Sequence, residues 1–144
     1  MNRFTFWLKW LEVMAIIVII YGLTIAFFSQ SFVFDFLLNN QINKTFWETT
    51  QVSDSVIMFQ KFVYGVIGAT AAGWGTVLAF MVFYPYRNKE KWVWKALVSG
   101  ICIWYFTDTG ISLYYYVYSN ALINTMLLFA FGIPLVQTRH EFIS

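Results

Sequence analysis

Apolar residues run along this chain in four long blocks, at about residues 6–28, 55–84, 92–116 and 118–136. Each is close to or above the roughly 20 residues that a helix needs to cross about 30 Å of hydrocarbon. Strands of a membrane barrel would show segments of about ten residues in strict alternation. The blocks are too long and too uniformly apolar for that. The pattern predicts four spanning helices, because a helix satisfies its own backbone polar groups where water cannot. The second block is long enough to tilt or to project beyond the bilayer. Pro85 marks where it can stop without losing an internal bond. Gly132 and Pro134 fall near the end of the fourth. No internal repeat stands out.

The connections are unequal. A short basic turn follows the second block, and a shorter turn around residues 116–119 follows the third. Residues 29–54 form a much longer segment, SQSFVFDFLLNNQINKTFWETTQVSD, in which Leu38, Ile42 and Phe46 recur at steps of four. That spacing predicts an amphipathic piece that lies on the membrane surface or caps the bundle. Long loops in compact domains often serve as lids. The expected architecture is all-α: a single transmembrane four-helix bundle over residues 1–144, with a long outer loop between helices one and two.

Charge gives this bundle an expected orientation. Of nine Lys and Arg, seven fall on one side of a four-span arrangement: Arg3, Lys9, Arg87, Lys89, Lys91, Lys95 and Arg139. Lys44 and Lys61 lie toward the other. The positive-inside rule then puts both termini and the basic turn in the cytoplasm. Trp7, Trp10, Trp92 and Trp94 fall at that same boundary, where amphipathic rings are favoured. The first span is not expected to be a cleaved leader. Lys9 and Glu12 interrupt it, and its exit, Phe27-Phe28-Ser29-Gln30, is no small-residue cleavage site.

Composition narrows the class further. Hydrophobic residues make up 60% of the 144, aromatic residues 22% and charged residues 11%. A soluble domain carries about 25% charged residues, and disorder needs the opposite bias, so both are excluded. A net charge of +2 is no nucleic-acid footprint. Cys102 is the lone cysteine, so a thiol oxidase built on C-x-x-C is excluded, and the residue is expected to pack in its apolar run. His140 is the lone histidine and lies in the C-terminal tail, leaving no histidine pair for a haem within the bilayer. No cofactor or metal is expected. Asn43-Lys44-Thr45 matches the glycosylation acceptor pattern, which matters only in a eukaryotic secretory pathway.

Ionisable residues inside a span are costly and mark interior or water-lined positions. Three qualify. Glu12 follows Lys9 by three residues, a spacing that lets them pair at the interface; a lone glutamate in a first span also serves as a coupling carboxylate in small drug/proton antiporters. Lys61 follows Asp54 by seven residues and Asp108 precedes Tyr115 by seven. Both therefore lie about 10 Å below the loop-side membrane face, which predicts a Lys61–Asp108 ion pair. Ser112 shares a face with Asp108, Asn120 shares one with Asn124, and Gln60 neighbours Lys61. Lys61, Asp108, Ser112, Asn120 and Asn124 are thus the candidate ligand-binding set. Interhelical glue, at about 0.6–2 kcal/mol per bond, and the mouth of a ligand pocket both fit them. Gly65, Gly68, Ala72, Gly75 and Ala79 form a stripe of small residues that Lys61 continues outward. The stripe predicts close helix packing in the half of span two nearer the basic turn, and a cavity in the other half. Trp74 and Trp104 are expected to pack at bundle or lipid-facing surfaces, where either can stack on a ligand.

The stretches YGVIGATAAGWGTVLAFMVFYPYRNKEKW and WYFTDTGISLYYYVYSNALINTMLL carry the pattern G-A-T-x-x-G-W-G, a basic turn, D-T-x-x-S and N-x-x-x-N. That pattern resembles a family of small, uncharacterised bacterial four-span membrane proteins. The resemblance implies the bacterial cytoplasmic membrane and no particular activity. Four helices with buried acidic and amide groups are also similar, at the level of fold, to the EXPERA-domain membrane proteins, which include sterol isomerases and sterol-binding receptors. This second resemblance implies a bundle with an internal pocket for a lipid-like molecule. The chain departs from it in having one deep carboxylate, Asp108, with Glu12 toward the opposite face.

Four functions follow as expectations. The first is binding of a lipid or small hydrophobic molecule that enters from the outer leaflet. The second is an accessory subunit packed on another membrane protein. The third is an enzyme with Asp108 as acid or base and Lys61 tuning it. The fourth is a proton-coupled transporter, which at four helices per chain would need a homodimer. The bilayer is the partner common to all.

Overall fold

The computed structural model describes residues 2–143, and those residues form helices without any strand. Helix α1 spans Arg3–Phe28. Three consecutive helical pieces, Phe32–Phe34, a π-helical turn Asp35–Asn39 and Asn40–Trp47, follow as one unit, α2. Helix α3 spans Asp54–Met81 and continues π-helically through Val82–Tyr86. Helix α4 spans Lys91–Tyr114, α5 Tyr118–Thr138, and α6 is the short His140–Ile143. α1, α3 with its extension, α4 and α5 are each long and apolar enough to cross a membrane.

Phe4, Leu8, Leu11, Ala15, Val18, Gly22 and Ile25 of α1 are buried at alternating steps of four and three, with Met14 buried beside Ala15. This narrow seam suits antiparallel packing along one partner helix, and the partner is α3. The two backbones meet where both sides are small. A Cβ on Gly22 would lie 2.7 Å from the Gly68 carbonyl oxygen and 2.9 Å from Ala72 Cα. A Cβ on Gly75 would lie 2.9 Å from the Ile19 nitrogen. Gly22 and Ala26 of α1 thus face Gly68 and Ala72 of α3, a small-x-x-x-small pair on each side. The expected location of the tight packing is corrected here. The closest approach falls at the middle of α3, against the last third of α1, because that is where α1 supplies its own glycine.

The other contacts join α4 to α5 and α1 to α5. α3 and α4 meet near the turn that connects them and make little contact beyond it. That turn and the α4–α5 turn both reverse through a left-handed residue that is not glycine, Lys89 (φ 57°) and Tyr116 (φ 58°). Each is closed by a bond spanning five residues, Glu90 N–H to Pro85 O at 2.9 Å and Val117 N–H to Ser112 O at 2.8 Å.

The main core lies toward the basic turn. Phe4, Leu11 and Ala15 of α1, Val82 and Tyr86 of α3, Val93 and Leu97 of α4, Leu135 and Phe142 fill it. Pro134 sits inside α5 rather than at its end. Its missing N–H leaves the Ala130 carbonyl without a helical donor, and the Trp10 indole N–H donates to that oxygen at 2.9 Å. The Tyr86 hydroxyl meets Thr138 Oγ1 at 2.5 Å. The same end is clamped by charge. Arg3 hydrogen-bonds Gln137, Lys89 pairs with Glu141 at 2.7 Å, and Arg87 pairs with Glu12 at 2.6 Å. The expected Lys9–Glu12 pair is therefore corrected. Arg87, arriving from the end of α3, brings its planar fork to Glu12 across the helix interface.

α2 caps the opposite end. Phe34 and Leu38 pack with Ile25, and Ile42 packs against that cluster. Carboxamides pin the cap. Asn39 donates to Ser29 O at 2.8 Å, Gln60 to Asn43 Oδ1 at 2.6 Å, and Ser119 N–H to Gln41 Oε1 at 2.9 Å. Gln60, the neighbour of Lys61 expected in the polar group around it, serves the cap instead.

Candidate functional site

The buried face of α4 changes character along its length. Val93, Leu97 and Ile101 are aliphatic, whereas Thr109 and Ser112, with the half-buried Asp108, make the last two turns polar. α5 opposes those turns with Asn120 and Asn124. Asn120 Nδ2 donates to Asp108 Oδ1 at 2.8 Å and to Ser112 Oγ at 2.8 Å. Ser112 Oγ donates to the Asp108 carbonyl oxygen at 2.8 Å and lies 3.3 Å from Oδ1. Asn124, 3% exposed, donates to Thr109 Oγ1 at 3.4 Å. Asp108, Ser112 and Asn120 therefore form one cluster, and Asn124 stands a turn deeper on a partner of its own.

Lys61 is not part of it. Among the described residues no ion pair joins Lys61 to Asp108, and Lys61 is exposed. Residue counts put the two at similar depth, but they stand on different faces. Lys61 lies two turns above Gly68 on the stripe that faces α1. Asp108 faces α5. Depth arithmetic fixes height and leaves azimuth open, and the azimuths are what separate this pair.

Two cavities meet at the polar cluster. The deeper one, of about 390 Å³, lies between α3 and α4 and is closed behind by α1 and α5. Its walls include Val18 and Tyr21 of α1, Thr70 and Trp74 of α3, Trp104 of α4 and Phe131 of α5. The second, of about 310 Å³, lies beneath α2, roofed by Phe34, Leu38, Ile42 and Phe46. Tyr21, Ile25, Ile67, Asp108 and Asn120 line both. The cluster is thus a polar waist between two apolar chambers. Trp74 and Trp104 face each other at 5.9 Å across the gap between α3 and α4 and floor the opening. Val66 and Ile67, about half exposed, stand on the lip of the deeper chamber.

Chemically, the waist offers one carboxylate whose Oδ1 is engaged by Asn120, while Oδ2 accepts no hydrogen bond from a described residue. A ligand donor, hydroxyl or amine, suits that oxygen. No group of three or more potential metal ligands occurs among the described residues. The sequence pattern singled out Asp108, Ser112, Asn120 and Asn124. It gave no site role to Tyr21, a single polar group inside an apolar run, or to Thr70 and Thr109, which stood only as positions of the G-A-T and D-T-x-x-S motifs.

Comparison with protein families, with curated proteins and with solved structures finds no match for this chain.

Proposed function

We propose that this membrane protein binds a lipid or small hydrophobic molecule in the chamber between α3 and α4, with the ligand's polar group held at Asp108. The observation that carries this reading is the chamber itself. About 390 Å³ of apolar space meets a single carboxylate at its rim. That combination of apolar walls and few convergent polar groups is how small-molecule sites are built. The scant contact between α3 and α4 supports entry sideways from the bilayer. The distribution of basic residues favours a topology with both termini cytoplasmic, so entry is from the outer leaflet. The resemblance to small bacterial membrane proteins makes that membrane the bacterial cytoplasmic one. Asp108 Oδ2, which accepts no hydrogen bond from a described residue, sets the preference for a hydrogen-bond donor.

The test is retention of lipid by the purified protein, read by mass spectrometry of the extract. Wild type should carry an enriched hydrophobic species. Ala71→Phe, which fills the chamber from the α3 wall, should fold and lose it. Asp108→Asn should fold, since Asn120 can still donate to the new amide, and should retain much less. A wild type with no enriched species that co-purifies in fixed ratio with another membrane protein would replace this reading with the accessory-subunit one.

A further inference from the structure

Once separated from Asp108, Lys61 has no protein counter-charge. It makes no ion pair or hydrogen bond with any described residue. Its surroundings follow from the α1–α3 crossing. Gly68 meets α1 at Gly22, and the helices are antiparallel. Seven residues up α3 is Lys61; seven residues on from Gly22 is Ser29, the first residue past α1. The stripe that packs on α1 therefore carries Lys61 over the end of that helix. There a depression of about 320 Å³ is lined by Lys61, Phe27, Phe28, Ser29, Gln30 and Ser31. The Gln30 side-chain nitrogen is buried and has no partner either. Two residues that line one depression thus carry hydrogen-bond donors without acceptors, one of them a full positive charge and the other buried beside it.

We propose that Lys61, with Gln30 and Ser31, forms a site for the phosphate group of a phospholipid. A lysine two turns inside the end of a spanning helix extends its ammonium toward the headgroup level, where phosphate is the abundant acceptor. The phosphate accepts from the Lys61 ammonium, the Gln30 amide and the Ser31 hydroxyl. Phe27 and Phe28, 75% and 64% exposed, lie on the bilayer side of the depression, where acyl chains run. The site does not depend on the chamber between α3 and α4. It tethers the junction of α1 and the cap to the lipid surface.

The experiment uses the full chain in mild detergent, with bound lipid read by native mass spectrometry. Phosphatidylglycerol is the probe and diacylglycerol, which lacks phosphate, is the control. Lys61→Gln should retain about fivefold less phosphatidylglycerol than wild type, the effect of one lysine charge at an anionic surface. Diacylglycerol retention should not change. Lys61→Arg should restore binding, and Lys44→Gln, at the same end but outside the depression, should leave it intact. Millimolar inorganic phosphate separates the sources. Displacement of the lipid would assign the site to phosphate itself, and resistance would assign it to the headgroup. Equal retention by wild type and Lys61→Gln would overturn the proposal. So would equal losses in Lys61→Gln and Lys44→Gln, which would mean charge at that end without a site. Lys61 is exposed, so Lys61→Gln should keep the wild-type helical spectrum, and the comparison stands on folded protein.

Discussion

Two faces of α3, at the same height in the bundle, do opposite things. The face with Gly68, Ala72 and Gly75 closes onto α1 until backbones touch. The neighbouring face, with Ile67, Thr70, Ala71 and Trp74, looks across a chamber toward α4. In lipid there is little hydrophobic drive to bring helices together, so close packing has to come from small residues and interhelical hydrogen bonds. α3 has both kinds of surface a few residues apart. Where side chains are hydrogen atoms and methyl groups on both helices, the gap closes. Where Trp74 meets Trp104, the rings hold the helices apart and leave space above them. The chamber is therefore a product of side-chain size along one helix, and the same helix provides its rigid wall.

The sharpest way to break that comparison is to put bulk on each face in turn. Gly68→Leu drives a side chain into the α1 backbone at Gly22 and Ala26, which has no flexible end to yield. We expect a loss of about 3 kcal/mol or more in unfolding free energy. Ala71→Leu, which extends into the chamber from the other face, should cost about 1 kcal/mol or less. Denaturant titration in micelles, followed by circular dichroism, checks both. Equal losses would mean that the two faces do not differ as described.

A smaller effect distinguishes the contacts at the waist. A double-mutant cycle on Asp108→Ala and Asn120→Ala should give a coupling of about 1 kcal/mol, the size of a hydrogen bond between membrane helices. The cycle on Asp108→Asn and Lys61→Gln should give a coupling below about 0.5 kcal/mol, since the two share no partner. A large value for the second cycle would restore the ion pair that the spacing alone suggests.

What the sequence disclosed follows from which quantities a sequence encodes. Four spans, their order and the tight turns are written in run lengths, because the bilayer imposes one length on all. The Asp108, Ser112 and Asn120 neighbourhood was legible because steps of four stack side chains on one face. The small-residue stripe on α3 was legible too. Its partner was not, since Gly22 is a single glycine in an aliphatic run and marks a crossing only once α1 is laid against α3. The same gap explains Lys61 and Glu12. Heights come from residue counts, whereas partners depend on how each helix is rotated about its axis. Glu12 found Arg87 rather than Lys9 for that reason. The cap was anticipated from Leu38, Ile42 and Phe46. Its carboxamide anchors were not, because Asn39, Asn43 and Gln60 read as ordinary loop and interface polarity.

The smallest effect belongs to the end where α3 and α4 do meet. α6 folds over their turn and is latched by Glu141 to Lys89 at 2.7 Å, with His140 Nε2 3.5 Å from the same carboxylate. The hydrogen bond from Lys89 holds the Glu141 carboxyl below its ordinary value of 4.5, helped by the charges of Lys89 and His140 and opposed by partial desolvation. A carboxyl lowered on folding adds stability above its unfolded value and loses it as pH falls through the folded one. Wild type should therefore exceed Glu141→Gln in melting temperature at pH values above 4.5, and the difference should vanish as pH falls well below it. Ligand retention should be the same in both proteins throughout, because the chamber is framed by the α1–α3 crossing and the Trp74–Trp104 pair rather than by the terminal latch. A retention that followed the melting curve would mean that the opening between α3 and α4 is set from the turn.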